Sequence, residues 1–526
     1  MLALCGLALA CRSSGTSLLA QLEDGAAGSG GGPKEASGFG GVGGTPAAED
    51  AGDGSNPCSI ERSRFVSVDG HDTGAGTLGD PFATIAHALA QSTPGDTVLV
   101  REGVYHELVD VPVSGLPNAP VTLRAYCGER PVIDAAGLAS PLGEPAIIRI
   151  VDRSHVVIDG FELRNLTGSS TQQFPAGIWV RGAVRDVVLR NNLIHHISAP
   201  DGGKNTGAHG IGVYGTSTTP SEDVRIEGNT LHDLVLGWSE ALAVNGNVRN
   251  FVVSRNVIHH VDNIAFVFIG YEPDVCKSCS QADEIDVDDV NRARNGLIQG
   301  NLAYAMSSAS NPSYGGEKEA ACFYVDGGAS LVIERNTAHD CDIGVELASE
   351  HFEKSTRGVL LRSNLLYDND VAGVMTGGYS AGNAAGGGSA KQCWVVNNTI
   401  FNSSRNGWAK ADLLLQNRNI GNTYANNVIY ASDGSNAVSD DGTMNTGNVF
   451  DYNLYFKGGL DGVQGGANSI TAEPRFVSAA TRDLHLAADS PAIGKGRDWG
   501  AAIVGSADVD GEPRVQGGID MGAHER

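Results

Sequence analysis

Asp326 in CFYVDG and Glu346 in GVELAS stand out, because two carboxylates at a fixed separation can share acid–base or nucleophilic work on a glycosidic bond. Both segments alternate as strands do, and the carboxylates fall on the face opposite Val325 and Val345. If the two strands are lateral neighbours, a step of ~4.8 Å across and ~6.8 Å along leaves their backbones about 8 Å apart. Side chains then bring the carboxyls to catalytic spacing. The competing role for Asp326 is structural: it precedes Gly327-Gly328, where an aspartate caps a turn.

What must position this pair is a repeat. An asparagine recurs as Asn192, Asn229, Asn256, Asn301, Asn336, Asn364, Asn398, Asn427 and Asn453, at gaps of 37, 27, 45, 35, 28, 34, 29 and 26 residues. Fixed-period units of this size, each strand-patterned, predict a β-helical solenoid. Three residues before each Asn stands an apolar residue (Leu189, Ile226, Val253, Ile298, Ile333, Leu361), and two after it stands another (Ile194, Leu231, Ile258, Ala303, Ala338, Leu366). Those are core rows. Arg190, Glu227, Ser254, Gln299, Glu334 and Arg362 form a solvent row between them. The Asn itself is expected at a turn, tolerating left-handed backbone and bonding to the next Asn. His195, His232, His259 and His339 share one column with Tyr304, Tyr367, Phe401 and Tyr430, which reads as a stacked ring ladder rather than a metal site.

A third strand precedes each pair: GIWVRG, GIGVYG, ALAVNG, AFVFIG, CFYVDG, GVELAS and GVMTGG. Its outward residues would be Trp179 and Arg181, Gly212 and Tyr214, Ala243 and Asn245, Val267 and Ile269, Tyr324 and Asp326, Glu346 and Ala348, Met375 and Gly377. The extra residues of the longer repeats fall beside this strand, at 197–209, 271–294, 305–320 and 379–391, and never at the Asn turn. Loops crowding one face build a groove. Its candidate lining is Trp179, Arg181, Tyr214, Asn245 and Tyr324 on the floor, with Arg294, Tyr314, Glu350 and His351 on the walls; Glu240 and Asn311 are weaker candidates. Arg292, Arg294 and Lys318 are the loop cations that could reach in. Asp283, Asp286 and Asp288 could hold Ca2+ through oxygen ligands, although such an acidic run also suits a solvated loop.

Composition narrows the partners. Lys+Arg 36 against Asp+Glu 61 gives a net charge of −25, which argues against nucleic acid. The opening MLALCGLALAC resembles a bacterial lipoprotein signal with Cys11 as the lipidated residue, so 1–11 is read as signal and 12–60 as a Gly/Ala/Ser-rich tether. An exported chain permits disulfides: Cys322–Cys341 and Cys276–Cys279, with Cys58–Cys127 as a guess and one thiol left over. Phe82, Ile85, Ala86 and Leu89 have helical spacing, and the helix is expected to cover the first coil.

DGHDTGAGTLGDPFATI, PGDTVLVREGVYHE and the closing LHLAADSPAIGKG to DVDGEPRVQGGIDMGAHE resemble the pectate-lyase-like superfamily of secreted right-handed parallel β-helix proteins, over residues 64–526. The resemblance implies one all-β domain (61–526), with an N-terminal cap and a closing segment, a groove floored by the GIWVRG-type strands, and polysaccharide as substrate. It also implies lyase chemistry, in which Lys or Arg abstracts a proton near calcium. The central floor strands, Ala241 to Gly377, carry neither Lys nor Arg, and the paired carboxylates point to hydrolysis instead. The expected protein is a monomeric glycan-cleaving enzyme, lyase or hydrolase, exported to the cell surface. The alternative is a non-catalytic glycan-binding or adhesin-like β-helix.

Overall fold

The computed structural model describes residues 62–283, 287–379 and 387–526. Cys11, the tether at 12–60, Cys58 and Asp286 lie outside them. Three long parallel sheets of 13, 12 and 13 strands stack into a solenoid. Each coil contributes one strand to each sheet, as in Ala176–Gly182, Val187–Arg190 and Leu193–His195. The 12-stranded sheet, from Val109–Asp110 to Leu460–Asp461, is the groove floor. One hydrophobic cluster runs from Val66 to Tyr455 through the interior, so the core is a column shared by all coils.

The columns read from the repeat are in register. Arg190, Glu227, Ser254, Gln299, Glu334 and Arg362 are successive partners. The ring column is continuous from His195 to Tyr430, with His195, His232 and His259 stacked at 5.0 and 5.1 Å and nearly parallel.

The asparagines form a buried ladder. Asn256 donates both its backbone N–H and its Nδ2 to Asn301 Oδ1 (2.9 and 3.0 Å), and Asn301 repeats this with Asn336. One expectation is corrected. The left-handed residue is the one before the repeated Asn: Asn191, Gly228, Arg255, Gly300, Arg335, Ser363, Asn397, Asn426 and Tyr452. A second left-handed residue follows each ring from His195 to Phe401, such as His196, Asp233 and His260.

Helix Ile85–Ala90 packs on the first strands, burying Ile85, Ala88 and Leu89; Ala88 rather than Ala86 faces inward. At the other end the chain folds back over the outside of the last coils. Ala501–Ile503 carbonyls accept from Arg362, and Asn397 and Asn426 donate to the carbonyls of Asp520 and Arg497. Cys276–Cys279 and Cys322–Cys341 are disulfides, and Cys393 is a buried free thiol.

Asn301→Ala should cost about 2–4 kcal/mol, since it strands two buried donors of Asn256 as well as losing its own bonds. Arg225→Ala, on an exposed position of the same sheet, should stay within about 0.5 kcal/mol. Chemical denaturation of both variants measures the contrast.

Candidate active site

Alternation along the floor strands places the site. Tyr324 pairs with Glu346 and Asp326 with Ala348, so the two carboxylates stand one strand across and two residues along, facing away from the core. Asp326 ends its strand at Gly327, whose φ of +77° is left-handed and suits glycine. That turn is held from beneath. Arg292 donates to the carbonyls of Gly327 (2.9 Å), Gly328 (3.2 Å) and Ser355 (2.6 Å), and Thr356 Oγ1 accepts the Gly327 N–H at 2.8 Å. The sequence reading had offered Arg292 as a groove cation. It is instead fully buried and fixes the turn that aims Asp326.

Two walls rise beside the floor. One comprises the segments around 198–208, 235–240 and 307–320, tied together over long sequence distances. Ser313 Oγ donates to Gly203 O (2.8 Å) and Asn311 Nδ2 to Gly237 O (2.8 Å). Asn311 therefore braces the wall. Tyr314 packs at a tilt against Trp238, which is exposed, with ring centres 5.0 Å apart. The other wall carries Glu272 after the strand Phe266–Ile269, and Glu350 and His351 after Ile343–Ala348. Its contacts reach the floor: the Glu350 N–H donates to Asp326 Oδ1 (2.8 Å), and Tyr324 OH donates to Glu350 Oε1 (3.3 Å).

The trough is acidic, and its carboxyls hold their protons tightly. Burial, reinforced by Glu350, lifts Asp326 well above the ordinary carboxylate range. Burial first, then Glu350 and Glu319, lifts Glu346 to about 8; burial first, then Glu272 and Glu350, lifts Glu240 to about 8. Desolvation also raises Glu272 and pushes Tyr324 well up, while it pulls His351 down. Low dielectric and like charges act in the same direction on every acid here.

The remaining candidates divide by location. Trp179 lies flat over Gly212, where a side chain would overlap its six-membered ring, and packs on Tyr214 (4.4 Å) and His209 (5.5 Å). At 3% exposure it is foundation rather than open platform. Tyr214 OH meets His209 Nε2 at 3.2 Å, and burial holds that imidazole down at about 4. Asn245 is buried on the floor beside Tyr214. Arg181 pairs with Glu144. Arg294 does not reach the groove. It is buried on the turn beyond the floor strands, bonded to Asn247 Oδ1 (2.9 Å) and the carbonyls of Arg292, Val287 and Asp288. Lys318 is held by Asp370.

Of the suggested calcium run, Asp283 and Asp288 are taken up by separate partners. Asp283 is engaged by Ser355, Tyr271 and Lys391, and Asp288 by Arg249. In the groove, Glu272, Asp326 and His351 bring ligand atoms within 4.8 Å of one another. Three donors including an imidazole nitrogen do not fit the six to eight oxygens calcium takes. A hollow lined by Ser154, His155, Arg185, Glu222, Arg249 and Asp288 lies apart from these carboxylates.

Comparison with known proteins bears on this architecture. Residues 64–219 match the family described as Pel9A-like, right handed beta helix region. The chain is 35% identical over 447 residues to the uncharacterized protein YwoF of Bacillus subtilis (strain 168), spanning 81% of this chain and 91% of that protein. The chain belongs to the pectate-lyase-like superfamily of right-handed parallel β-helix proteins. Within that superfamily it is 32% identical over 143 residues to pectate lyase PEL9 of Emericella nidulans, covering 26% of this chain and 35% of the enzyme. The solved structure of XylC with xylose shares the β-helix fold at TM-score 0.51 and 13% identity, covering 88% of this chain and 99% of that one. The Pel9A-like match reaches Trp179, Arg181 and Tyr214 but ends before Asp326 and Glu346.

Sequence reading missed Glu272, Glu319, Trp238 and Tyr379. All sit on walls or strand ends with no period to place them. The one signal available was proximity to a floor strand, as with Tyr379 two residues after Gly377.

A pH prediction follows from Glu346. Its folded value near 8 exceeds the ordinary ~4.3, so the folded chain keeps a proton that the unfolded chain has released. That contribution is complete below ~4.3 and lost as pH rises through ~8. Glu346→Gln should flatten the decline in urea midpoint between about pH 5 and 8.

Proposed function

We propose that this protein cleaves an extracellular polysaccharide by carboxylate chemistry. Asp326 acts as proton donor to the glycosidic oxygen, and Glu346, which releases its proton near 8, as the partner that works in its ionised form. The observation that carries this reading is the placement of Asp326 and Glu346 on one face, a strand apart, in a trough with aromatic side chains on its floor and walls. Tyr324, Tyr314 and Trp238 offer ring faces for sugars. Burial favours a protonated Asp326, the state a general acid needs. Likeness to pectate lyase PEL9 supports a glycan as substrate; it lends lyase chemistry less support, because among the described residues no Lys or Arg stands on the central floor strands. The Cys276–Cys279 and Cys322–Cys341 disulfides fit an exported protein, and lipid attachment at Cys11 would hold it at the cell surface as a monomer.

A binding-only reading is favoured by one contact, the Glu350 N–H on Asp326 Oδ1, which is also how an aspartate caps a turn. Assays on a polysaccharide panel separate the readings. Hydrolysis releases reducing ends without unsaturated-uronate absorbance, lysis produces both, and a binding protein produces neither. Asp326→Asn and Glu346→Gln should each lower cleavage by about 10²–10⁴-fold with the far-UV β signal intact. Full activity in both variants removes the assignment.

A further inference from the structure

Far from the groove, two imidazoles meet one carboxylate in the closing segment. His485 lies on the strand Asp483–Leu486, Asp510 in the turn that begins at Asp508, and His524 near the chain end. His485 Nε2 is 3.0 Å and His524 Nδ1 is 2.8 Å from the same atom, Asp510 Oδ2. The ring centres are 4.0 Å apart. His524 is 5% exposed, and its Nε2 has no hydrogen-bond partner among the described residues; His485 and Asp510 are open to solvent.

The donor count at His485 shows what the cluster lacks. Its Nδ1 lies 2.6 Å from Asp483 Oδ1 while its Nε2 faces Asp510. The imidazolium, favoured because burial is outweighed by Asp483 and Asp510, donates to both carboxylates, whereas the neutral imidazole that a metal ion requires has one N–H and serves one of them. With the proton on Asp483's side, Nε2 turns a lone pair toward Asp510 Oδ2, and a cation between them converts repulsion into attraction. A carboxylate behind the imidazole is also the usual device that sets the tautomer of a metal ligand. Tetrahedral zinc, with bonds of ~2.0–2.2 Å to nitrogen and oxygen, holds its ligand atoms roughly 3.3–3.5 Å apart. The observed 2.8 and 3.0 Å need open only slightly, and the solvent-facing His485 can supply that movement.

We propose that His485, Asp510 and His524 bind a divalent transition-metal ion, zinc by ligand type, with Asp483 orienting His485. Two imidazoles and a carboxylate suit zinc and not calcium or magnesium, which take oxygen ligands. The ion would join three stretches: the 483–486 strand, the turn at 508–511 and the chain end. Asp508 already links the last two, accepting from Glu512 N and Glu525 N at 2.8 and 2.9 Å. The site is therefore a clasp on the closing segment, with its fourth position open to solvent.

The test uses the full chain, stripped by chelation and titrated with Zn2+. Calorimetry should show one equivalent bound, and Co2+ in its place should give visible absorption. His485→Ala and Asp510→Asn should abolish that equivalent, and Asp483→Asn should weaken it about 10–100-fold. Zinc should raise the unfolding temperature of the unsubstituted protein and not of His485→Ala. Unchanged near-UV dichroism of the metal-free His485→Ala protein checks that lost binding is not lost folding. No zinc bound by the unsubstituted protein overturns the site. So does an undiminished equivalent in His485→Ala or Asp510→Asn, which would put the ion elsewhere.

Discussion

Vertical register is the constraint on which this molecule depends, and the asparagine ladder enforces it. From Asn229 to Asn453 each Oδ1 takes two donors from the coil before, and each Nδ2 also reaches a backbone carbonyl, as Asn301 does with Val253 O at 2.9 Å. A coil with one residue too many at that turn would break a buried amide network whose groups have no water to turn to. Insertions are therefore confined to the far side of each coil. The walls of the groove exist because variation has nowhere else to go.

Much of this was legible in the chain. A stacked solenoid converts sequence period into vertical alignment, and strand alternation converts it into facing direction. Leu189 to Leu361, Arg190 to Arg362 and Asp326 beside Glu346 could be placed in this way. Alternation failed where periodicity failed. The left-handed turn residue sits one position before the expected Asn, because the side chain that forms the ladder needs its own backbone to continue into the next strand. Arg292 and Arg294 were read as groove cations from their loop. The chain had already left the floor by Asn291, and both arginines bond to turn carbonyls instead. Glu272 and Trp238 belong to walls whose shape is set by contacts such as Ser313 to Gly203, 110 residues apart, which local pattern does not encode.

The groove concentrates acids in a way that general stability would not select. Burial first, and then neighbouring carboxylates, raise the proton affinity of Glu240, Glu272, Asp326, Glu346 and Glu350 on a chain already at −25. The same floor is apolar beneath them, with Ala243, Val267, Met375 and Leu414 packed on its outward side. Acids over hydrocarbon, with no lysine or arginine bonded to them among the described residues, form a local conflict of the kind that marks functional sites.

Cys393 carries a consequence for the oxidative life of the protein. Its sulfur is sealed in the core, and burial pushes the thiol up to about 11. Exchange begins with a thiolate that can touch a disulfide, and this one is both protonated and walled off. Once the coils have closed, the Cys276–Cys279 and Cys322–Cys341 links have no internal nucleophile in Cys393 to scramble them. The odd cysteine is tolerated because folding retires it from the chemistry of its own kind.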